Sequence, residues 1–384
     1  MEALNYLLAG FAAAFTFKYL AFALAGCILG TLIGVLPGLG PSAGTAILIP
    51  LTFTLDATGA IIMLSAIYYG AMYGGTITSV LINVPGEAAS VVTCIDGHQM
   101  ARQGRAGSAL AIAAIGSFVG GTLATVALVA VAIPLATLAL RFGPAEFFAL
   151  MVAGLCLVVG LAGRNMLSAL LMTVIGLLYA MVGVDPVRGA PRFTLGVGEL
   201  YGGLGFIPVV MGLFGIAELL LSAEARQVRM IQSDLKNWMP TKEERRASAK
   251  AIGRGSAIGF VLGLIPGVGS IVPTFMAYVI EKRLSKTPER FGNGAIEGVA
   301  AAETANNAYA NAAMVPLLAL GIPSSPTIAV LMGAFIINGL TPGPFLFQER
   351  ADLVWTVIAS FFVGNALLLI LNLPLVGLWA KLLK

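Results

Sequence analysis

The sequence predicts an all-α polytopic membrane protein, with inverted-topology repeats and re-entrant hairpins whose helices break near the bilayer midplane. Three observations lead to this class. Hydrophobic residues make up 58% of the 384 positions, charged residues 10%, and the mean hydropathy is +0.94, whereas soluble domains carry about 25% charged residues. No Lys or Arg occurs between Lys18 and Arg102, or between Arg290 and Arg350. Finally, one proline-glycine motif occurs twice inside apolar runs.

This repeated motif reads GVLPGLGPSAG at 34–44 and GLIPGVGSIVP at 263–273. Proline and glycine both destabilise a helix interior, so a plain spanning helix gains nothing from them. Non-helical backbone at membrane depth is tolerated only where protein or a watery cavity satisfies it. The motif therefore predicts broken helices whose free ends face a ligand. At a constant offset of 229 (263 minus 34), Gly34, Pro37, Gly38 and Gly40 recur as Gly263, Pro266, Gly267 and Gly269.

The apolar segments that follow the first motif are long enough to cross a bilayer, which requires about 20 residues. They are predicted near 58–82, 108–138, 146–162, 165–184, 206–222, 297–320, 327–340 and 353–380.

Basic residues predict the orientation. The polar stretches 222–257 and 281–296 hold twelve of the 22 Lys and Arg residues, so the positive-inside rule places both in the cytoplasm. Only segment 258–280 separates them, which predicts a hairpin that enters and leaves from one side. Five predicted spans separate this hairpin from the first motif. Because five is an odd number, the hairpin at the first motif is predicted to enter from the opposite, periplasmic side. The predicted units are an N-terminal membrane repeat at 1–221, a cytoplasmic basic linker at 222–257, and a C-terminal membrane repeat at 258–384.

A second pair of breaks supports the repeat. Asn83-Val-Pro-Gly86 ends one predicted span and Gly321-Ile-Pro-Ser-Ser325 ends another, with the prolines 238 positions apart (323 minus 85). Proline-glycine pairs also mark ordinary surface turns, an alternative that fits one such site better than four. Opposed broken helices are typical of inverted-repeat transporters.

A polar helix is predicted at 297–311, EGVAAAETANNAYAN. Glu303, Asn307 and Asn311 are four residues apart and share one face, with Asn306 beside them. Polar groups of this kind inside a membrane face a cavity or an ion, and their oxygens suit Na⁺. Hydrogen bonding between helices is the alternative. The predicted cation-binding residues are Gly38, Gly40, Gly267, Gly269, Glu303, Asn306, Asn307 and Asn311.

Several classes of site are excluded by the residues. His98 is the single histidine, and the three cysteines (Cys27, Cys94 and Cys156) are unevenly spaced, which argues against a transition-metal site or a disulfide. The sequence has no Walker loop and no G-x-S-x-G motif. We expect no enzyme activity and no cofactor, so an ion gradient or another subunit would drive any active transport.

Four long runs, at 34–53, 68–118, 259–270 and 291–347, closely resemble TctA, the large membrane subunit of the tripartite tricarboxylate transporters. The resemblance extends from about residue 20 to the end of the chain. It implies a secondary transporter for citrate-like di- and tricarboxylates in the bacterial inner membrane, coupled to Na⁺ or H⁺. It also implies two partners, a small four-helix membrane subunit and a periplasmic solute-binding protein.

The sequence departs from the family in two places. Ser324-Ser325 replaces the Gly-Ser that the family usually has after the last proline. Family members also continue beyond the last apolar segment, so the C-terminal repeat is expected to be incomplete at Lys384.

A citrate-like anion needs donors, and the two core motifs contain no Lys or Arg. Hydroxyls and N–H groups at helix N-termini are therefore predicted to hold it, together with bound cations. The predicted substrate-binding residues are Ser42, Thr45, Asn83, Ser270, Thr274, Ser324, Ser325 and Thr327.

Two other functions remain open at this point. An ion or anion channel also uses re-entrant loops, although two opposed hairpins favour alternating access. An intramembrane enzyme using Ser270 or Glu303 is disfavoured because no base is predicted near the serine.

Overall fold

The computed structural model describes residues 2–36, 38–160, 165–185, 188–217, 220 and 239–381. Pro37 of the first motif and residues 222–238 of the predicted linker lie outside these ranges. In the described part the chain is almost entirely helical, and a single short antiparallel ladder pairs Gly183–Val184 with Pro191–Arg192. The predicted all-α class is therefore confirmed.

Nine α-helices lie in the described residues of the N-terminal part. They are α1 Glu2–Ala14, α2 Phe17–Val35, α3 Pro41–Leu48, α4 Ala57–Ile82, α5 Val91–Arg102, α6 Ala106–Ala139, α7 Pro144–Gly160, α8 Met166–Ala180 and α9 Phe206–Val210. Short 3-10 turns occur at Ile49–Thr52, Ala88–Ser90 and Gly198–Gly202, and a π-helical turn at Met211–Ile216.

Eight further helices follow in the described part of the C-terminal region. They are α10 Lys242–Gly263, α11 Ile271–Leu284, α12 Ile296–Ala312, α13 Met314–Leu320, α14 Pro326–Ile337, α15 Leu346–Glu349, α16 Ala351–Asn372 and α17 Val376–Lys381, with a 3-10 turn at Pro288–Arg290.

Three predicted apolar segments, 58–82, 108–138 and 353–380, contain long helices, while 146–162, 165–184 and 327–340 coincide with shorter ones, and part of 206–222 lies outside the described residues. Within the described ranges, α2, α4, α6 and α16 are long and apolar enough to cross a membrane. Helix α10 differs from its prediction: it begins at Lys242, inside the predicted linker, rather than at residue 258. Thr241 and Glu244 form a capping box there, which starts the helix in the polar stretch.

Both proline-glycine motifs lie where the chain reverses direction. Arg254 of α10 and Glu281 of α11 stand on either side of the second motif, yet they form a two-point ion pair with N–O distances of 2.5 and 2.8 Å. A continuous helix between them would separate them by about 40 Å, at 1.5 Å per residue. In the first half, Lys18 near the start of α2 likewise pairs with Asp56, after the motif, at 2.6 Å.

The two helices on either side of each motif, α2 with α3 and α10 with α11, form what we call a reversing pair. Glycines set how closely α2 packs on α4 and how closely α10 packs on α12. A Cβ added to Gly30 of α2 would lie 2.2 Å from the backbone oxygen of Ile67 in α4. A Cβ on Gly259 of α10 would lie 2.3 Å from that of Ala305 in α12. The same holds along the helix: Gly26, Gly30 and Gly34 meet α4, and Gly255, Gly259 and Gly263 meet α12.

These contacts keep the spacings of the sequence motifs. Gly30 and Gly259 are 229 positions apart (259 minus 30), and their partners Ile67 and Ala305 are 238 apart (305 minus 67). Small residues four apart let helix backbones approach closely in membranes. The two halves therefore use one packing pattern twice.

Polar contacts join three segments at one end of the molecule. Arg105, before α6, donates to Glu244 of α10 at 2.5 Å and to the backbone oxygen of Gly294 at 3.5 Å. Burial raises the pKa of the Glu244 carboxyl, but hydrogen bonds from Arg105 and Thr241 together hold it below its ordinary value. The described parts of the two predicted cytoplasmic segments, at Glu244 and at Gly294, thus lie close together.

Candidate functional site

A cavity of about 660 Å³ lies where the four interrupted helices meet. Both hairpin tips and both later breaks contribute to its wall. The lining residues are Gly38, Gly40, Pro41, Ser42, Met72, Pro85, Gly86, Glu87, Ala88, Val268, Gly269, Ser270, Ile271, Val272, Tyr309, Ser325, Pro326 and Thr327.

The two hairpin tips share a backbone conformation that requires glycine. Gly38 and its counterpart Gly267 have φ of 89° and 82°, and Gly40 and Gly269 have φ of 25° and 67°. L-residues with a side chain rarely adopt positive φ. The glycines of the sequence motif therefore turn the chain at each tip, so that α3 and α11 begin at the cavity.

The second pair of breaks is also repeated in structure. Helix α4 ends at Asn83 with φ of 57°, and α13 ends at Gly321 with φ of 70°, both left-handed caps. Four residues later, Glu87 and Ser325 cap the next helix: the Glu87 carboxylate accepts from the N–H of Ala89, and the Ser325 hydroxyl from that of Ile328.

As a result, four helix N-termini converge on the cavity. The residues that open α3, the 3-10 turn before α5, α11 and α14 are Pro41, Ala88, Ile271 and Pro326, and all four line the wall. A helix N-terminus carries unpaired N–H groups and about half a positive charge. The cavity can therefore stabilise an anion although none of its lining residues is Lys or Arg.

Hydrogen bonds tie the second hairpin tip to the last break. The N–H of Gly267 donates to the backbone oxygen of Ser324 at 3.2 Å, and the Tyr309 hydroxyl donates to the same oxygen at 3.3 Å. The Ser324 hydroxyl donates to the oxygen of Ala313 at 3.3 Å, away from the lining. Ser324 therefore fixes the backbone, while Ser325 and Thr327 lie on the wall.

The predicted substrate-binding residues divide into two groups. Ser42, Ser270, Ser325 and Thr327 line the cavity. Thr45 donates to the oxygen of Pro41 at 2.7 Å and Thr274 to that of Ile271 at 2.7 Å, so both hydroxyls are used within their own helices. Asn83 is an exposed helix cap outside the lining.

The predicted cation-binding residues are also divided. Gly38, Gly40 and Gly269 line the cavity, whereas Gly267 bonds to Ser324 behind it. The polar side chains of α12 contact three different helices. Glu303 accepts from Thr76 of α4 at 2.7 Å and from Thr93 of α5.

The three amide side chains of α12 contact two different places, helix α6 and the cavity wall. Asn307 donates to Ser117 of α6 at 2.7 Å, and Asn311 accepts from Thr125 of α6 at 3.0 Å. Only Asn306 reaches a residue of the cavity wall, donating to Glu87 at 2.8 Å. The described contacts thus place Asn307 and Asn311 between helices, as in the alternative interpretation of this polar face.

Glu87 is a residue that the sequence analysis missed. It is 5% exposed and is the one ionisable carboxyl among the lining residues. One oxygen accepts from the N–H of Ala89 at 2.6 Å and the other from Asn306. A signal was available in the sequence: Glu87 stands 238 positions before Ser325 (325 minus 87), a predicted site residue.

Comparison with known sequences identifies the family. The profile of the tripartite tricarboxylate transporter TctA family matches residues 20–384. The chain belongs to the TctA family. It is therefore a subunit of a tricarboxylate transport system, and the resemblance to the TctA family drawn from the motifs is confirmed.

Two relatives from Agrobacterium vitis are similar to this TctA-family chain. One, an uncharacterized 52.8 kDa protein in the TAR-I ttuC' 3' region, is 49% identical over 385 residues, which covers 100% of this chain and 76% of the relative. The other, an uncharacterized protein in the TAR-II ttuC' 3' region, is 54% identical over 125 residues, or 33% of this chain and 52% of that protein. No solved structure matches the chain.

Another buried carboxylate of this TctA-family chain, outside the cavity lining, holds together the helices around the site. Asp96 of α5 is fully buried; one oxygen accepts from the N–H groups of Gly292, Gly294 and Ala295 at 2.8 to 2.9 Å. Its other oxygen accepts from the Tyr278 hydroxyl of α11 at 2.8 Å. Asp96 therefore holds the second hairpin and the start of α12 against α5.

Proposed function

We propose that this protein is the transport subunit of a cation-coupled secondary transporter that imports citrate-like di- and tricarboxylates through the central cavity. The observation that supports it most strongly is the convergence of four helix N-termini and four Ser or Thr residues on one cavity of about 660 Å³. A carboxylate brings several negative charges, and burying them without compensation is far too costly. Helix N-termini and hydroxyls provide part of that compensation without Lys or Arg.

The proposed mechanism is alternating access around an inverted-topology repeat. Each half contributes one reversing pair, one helix against which its glycines pack, and one further break. The reversing pairs of the two halves are 229 positions apart, and the facing helices and further breaks are 238 apart. We propose that the α10–α11 pair is re-entrant from the cytoplasm and that the pair around 36–40 is re-entrant from the periplasm. Transporters of this kind bind substrate at the midplane between their repeats.

The proposed location is the bacterial inner membrane, with the end that contains Arg105, Glu244 and Gly294 in the cytoplasm. Membership of a tripartite family implies partner subunits. We propose that these are a small four-helix membrane protein and a periplasmic solute-binding protein, which delivers the carboxylate to the side of the first hairpin.

The coupling cation is proposed to be Na⁺ or H⁺, because a multiply charged anion needs positive charge that this cavity lacks. The tip backbone at Gly38, Gly40 and Gly269 and the amide of Asn306 lie at or beside the cavity wall. If the coupling ion is Na⁺, these groups are the ones that we propose to contact it.

Uptake of radiolabelled citrate by proteoliposomes that contain the three subunits tests this function. We expect Ser42→Ala and Ser325→Ala each to raise the half-saturating citrate concentration about tenfold, because a hydrogen bond to a charged group contributes about 1.5 to 3 kcal/mol. Thr173→Ala is the matched control, since that hydroxyl donates within α8 to Ala169.

Uptake should require an inward gradient of Na⁺ or H⁺. Citrate flux that proceeds at full rate with neither gradient would contradict coupled transport and favour a channel. If both serine variants kept the wild-type half-saturating citrate concentration, the proposal that citrate binds in this cavity would be contradicted.

A further inference from the structure

We infer that Glu87 carries the coupling proton of this transporter, binding it as the anionic substrate enters the cavity, with Asn306 as its hydrogen-bonding partner. The inference rests on the proposed function and assigns its coupling step to one side chain. Glu87 belongs to the N-terminal half and Asn306 to the C-terminal half, so the pair joins the two repeats across the cavity wall.

The first argument is electrostatic. Among the described residues of the wall, Glu87 is the one carboxyl, and none is Lys or Arg. A citrate-like anion in this cavity would meet a negative charge that is 5% exposed and poorly screened. Protonation of Glu87 removes the repulsion, so anion binding and proton uptake favour each other. This reciprocity is what coupled transport requires.

The second argument concerns the partner. Asn306 is 1% exposed; its Nδ2 donates to Glu87, while its Oδ1 is buried without a hydrogen-bond partner. An amide presents donors on one side and an acceptor on the other. Rotation of the Asn306 amide would therefore offer its oxygen to a protonated Glu87. The same side chain can bind either protonation state.

The third argument favours a proton over a metal cation at this position. Both oxygens of Glu87 already accept from N–H groups, those of Ala89 and Asn306. A hard cation needs several oxygen ligands in place of such donors. A proton needs one acceptor oxygen, and the carboxylate provides it without rearrangement of the 3-10 turn.

Other titratable groups lie close enough to influence Glu87. They are Glu303 and Tyr309 on α12, Tyr68 on α4 and Cys94 on α5. The hairpin tips contribute hydroxyls but no ionisable carboxyl or base to the wall. Glu303 is the one acid in this group, and two hydroxyl donors hold it outside the cavity. The anion therefore meets Glu87 first.

The step itself is a proton binding. A Glu87 carboxylate oxygen binds a proton released by the buffered solvent on the side from which the anion enters, and the Asn306 amide turns to accept the new O–H. When the cavity opens to the other side and the anion leaves, the proton returns to water there. No other group is consumed.

Calorimetry of citrate binding tests the inference on the full chain in nanodiscs. Titrations in two buffers with different ionisation enthalpies give the number of protons taken up per citrate. At about pH 8, where ordinary carboxyls are ionised, we expect about one proton per citrate in the wild type and none in Glu87→Gln. The dissociation constant should rise by up to about tenfold per pH unit in the wild type, and much less in Glu87→Gln.

Glu297→Gln is the matched control. Glu297 lies at the start of α12, away from the cavity, and its carboxyl pairs with Arg290. It should keep the wild-type proton count, and Glu87→Asp should keep it as well. A wild-type count of zero, or dependence of binding on Na⁺ in its place, would overturn the inference. So would retention of proton uptake in Glu87→Gln, whether or not Glu303→Gln loses it.

Infrared difference spectroscopy separates this inference from the proposed function. Without citrate, the wild type should show a carboxylic-acid C=O band that changes with pH and is missing from Glu87→Gln. If citrate does not bind the wild type, the proposed substrate is wrong, and this band alone decides whether Glu87 exchanges a proton. Identical bands in both proteins would refute the proton site.

Discussion

At the scale of single residues, the cavity depends on glycines and hydroxyls that stand beside the helix breaks. The tip glycines were predicted because proline and glycine are out of place in an apolar helix, and the structure places Gly38 and Gly267 at positive φ. Hydroxyls beside the breaks were predicted in the same way, and Ser42, Ser270 and Ser325 line the cavity. Thr45 does not, because its hydroxyl donates within α3.

Residues whose partners come from distant parts of the chain were missed. Glu87 bonds to Asn306, which is 219 positions away, and Asp96 bonds to backbone groups 196 to 199 positions away. A sequence alone does not pair such groups, because the partners belong to different repeats.

One prediction at this scale concerns Asp96. Asp96→Ala removes the acceptor of three backbone N–H groups and of the Tyr278 hydroxyl, and leaves buried donors unpaired. We expect a loss of about 2 to 4 kcal/mol in the free energy of unfolding, since each unpaired buried group costs about 1 to 3 kcal/mol. Thermal unfolding in detergent measures it.

The control for this variant is Asp352→Ala, whose carboxylate is 80% exposed beside Arg350. Asp352→Ala should change the midpoint temperature of thermal unfolding little. Equal midpoints for the two variants would mean that Asp96 does not hold α5, α11 and α12 together.

At the scale of elements, hydropathy placed the helices well, because burial in lipid and in protein both require long apolar runs. Charge misplaced one boundary: α10 begins at Lys242, where polar residues had suggested a linker. A capping box and a helix-favouring composition override charge there. The tight contacts between helices were not predicted, because glycine spacing alone does not name the facing helix.

A glycine prediction belongs to this scale. Gly259→Ala puts a Cβ 2.3 Å from the oxygen of Ala305, so α10 and α12 must separate. We expect a loss of about 1 to 3 kcal/mol in the free energy of unfolding, the usual cost of overpacking. Gly30→Ala should behave alike in the other half, where the corresponding distance is 2.2 Å. Denaturant or thermal unfolding of the purified variants gives the values.

Gly253→Ala is the matched control on α10, since nothing lies within 4 Å of its added Cβ. It should be neutral or stabilising because alanine favours helix more than glycine does. If Gly259→Ala and Gly253→Ala were equally stable, close packing would not hold the reversing pair against α12.

At the scale of the whole molecule, the offsets of 229 and 238 describe the sequence motifs, the packing contacts and the cavity wall alike. The repeat is predicted from the sequence because the first pair of breaks keeps its proline and glycines and the second pair keeps its proline. The chemical difference between equivalent positions of the two halves was not predicted. Glu87 and Ser325 occupy equivalent positions, yet one brings a charge and the other a hydroxyl.

The central claim is that equivalent breaks of the two halves enclose one carboxylate site, and thiol protection tests it most directly. Ser42→Cys and Ser325→Cys, made in a chain without Cys27, Cys94 and Cys156, should react with a membrane-impermeant maleimide in proteoliposomes. Citrate should slow both reactions with the same half-maximal concentration, while Thr54→Cys, exposed before α4, should react at an unchanged rate. Citrate that protects neither cysteine, or the two at widely different concentrations, would contradict a single shared site.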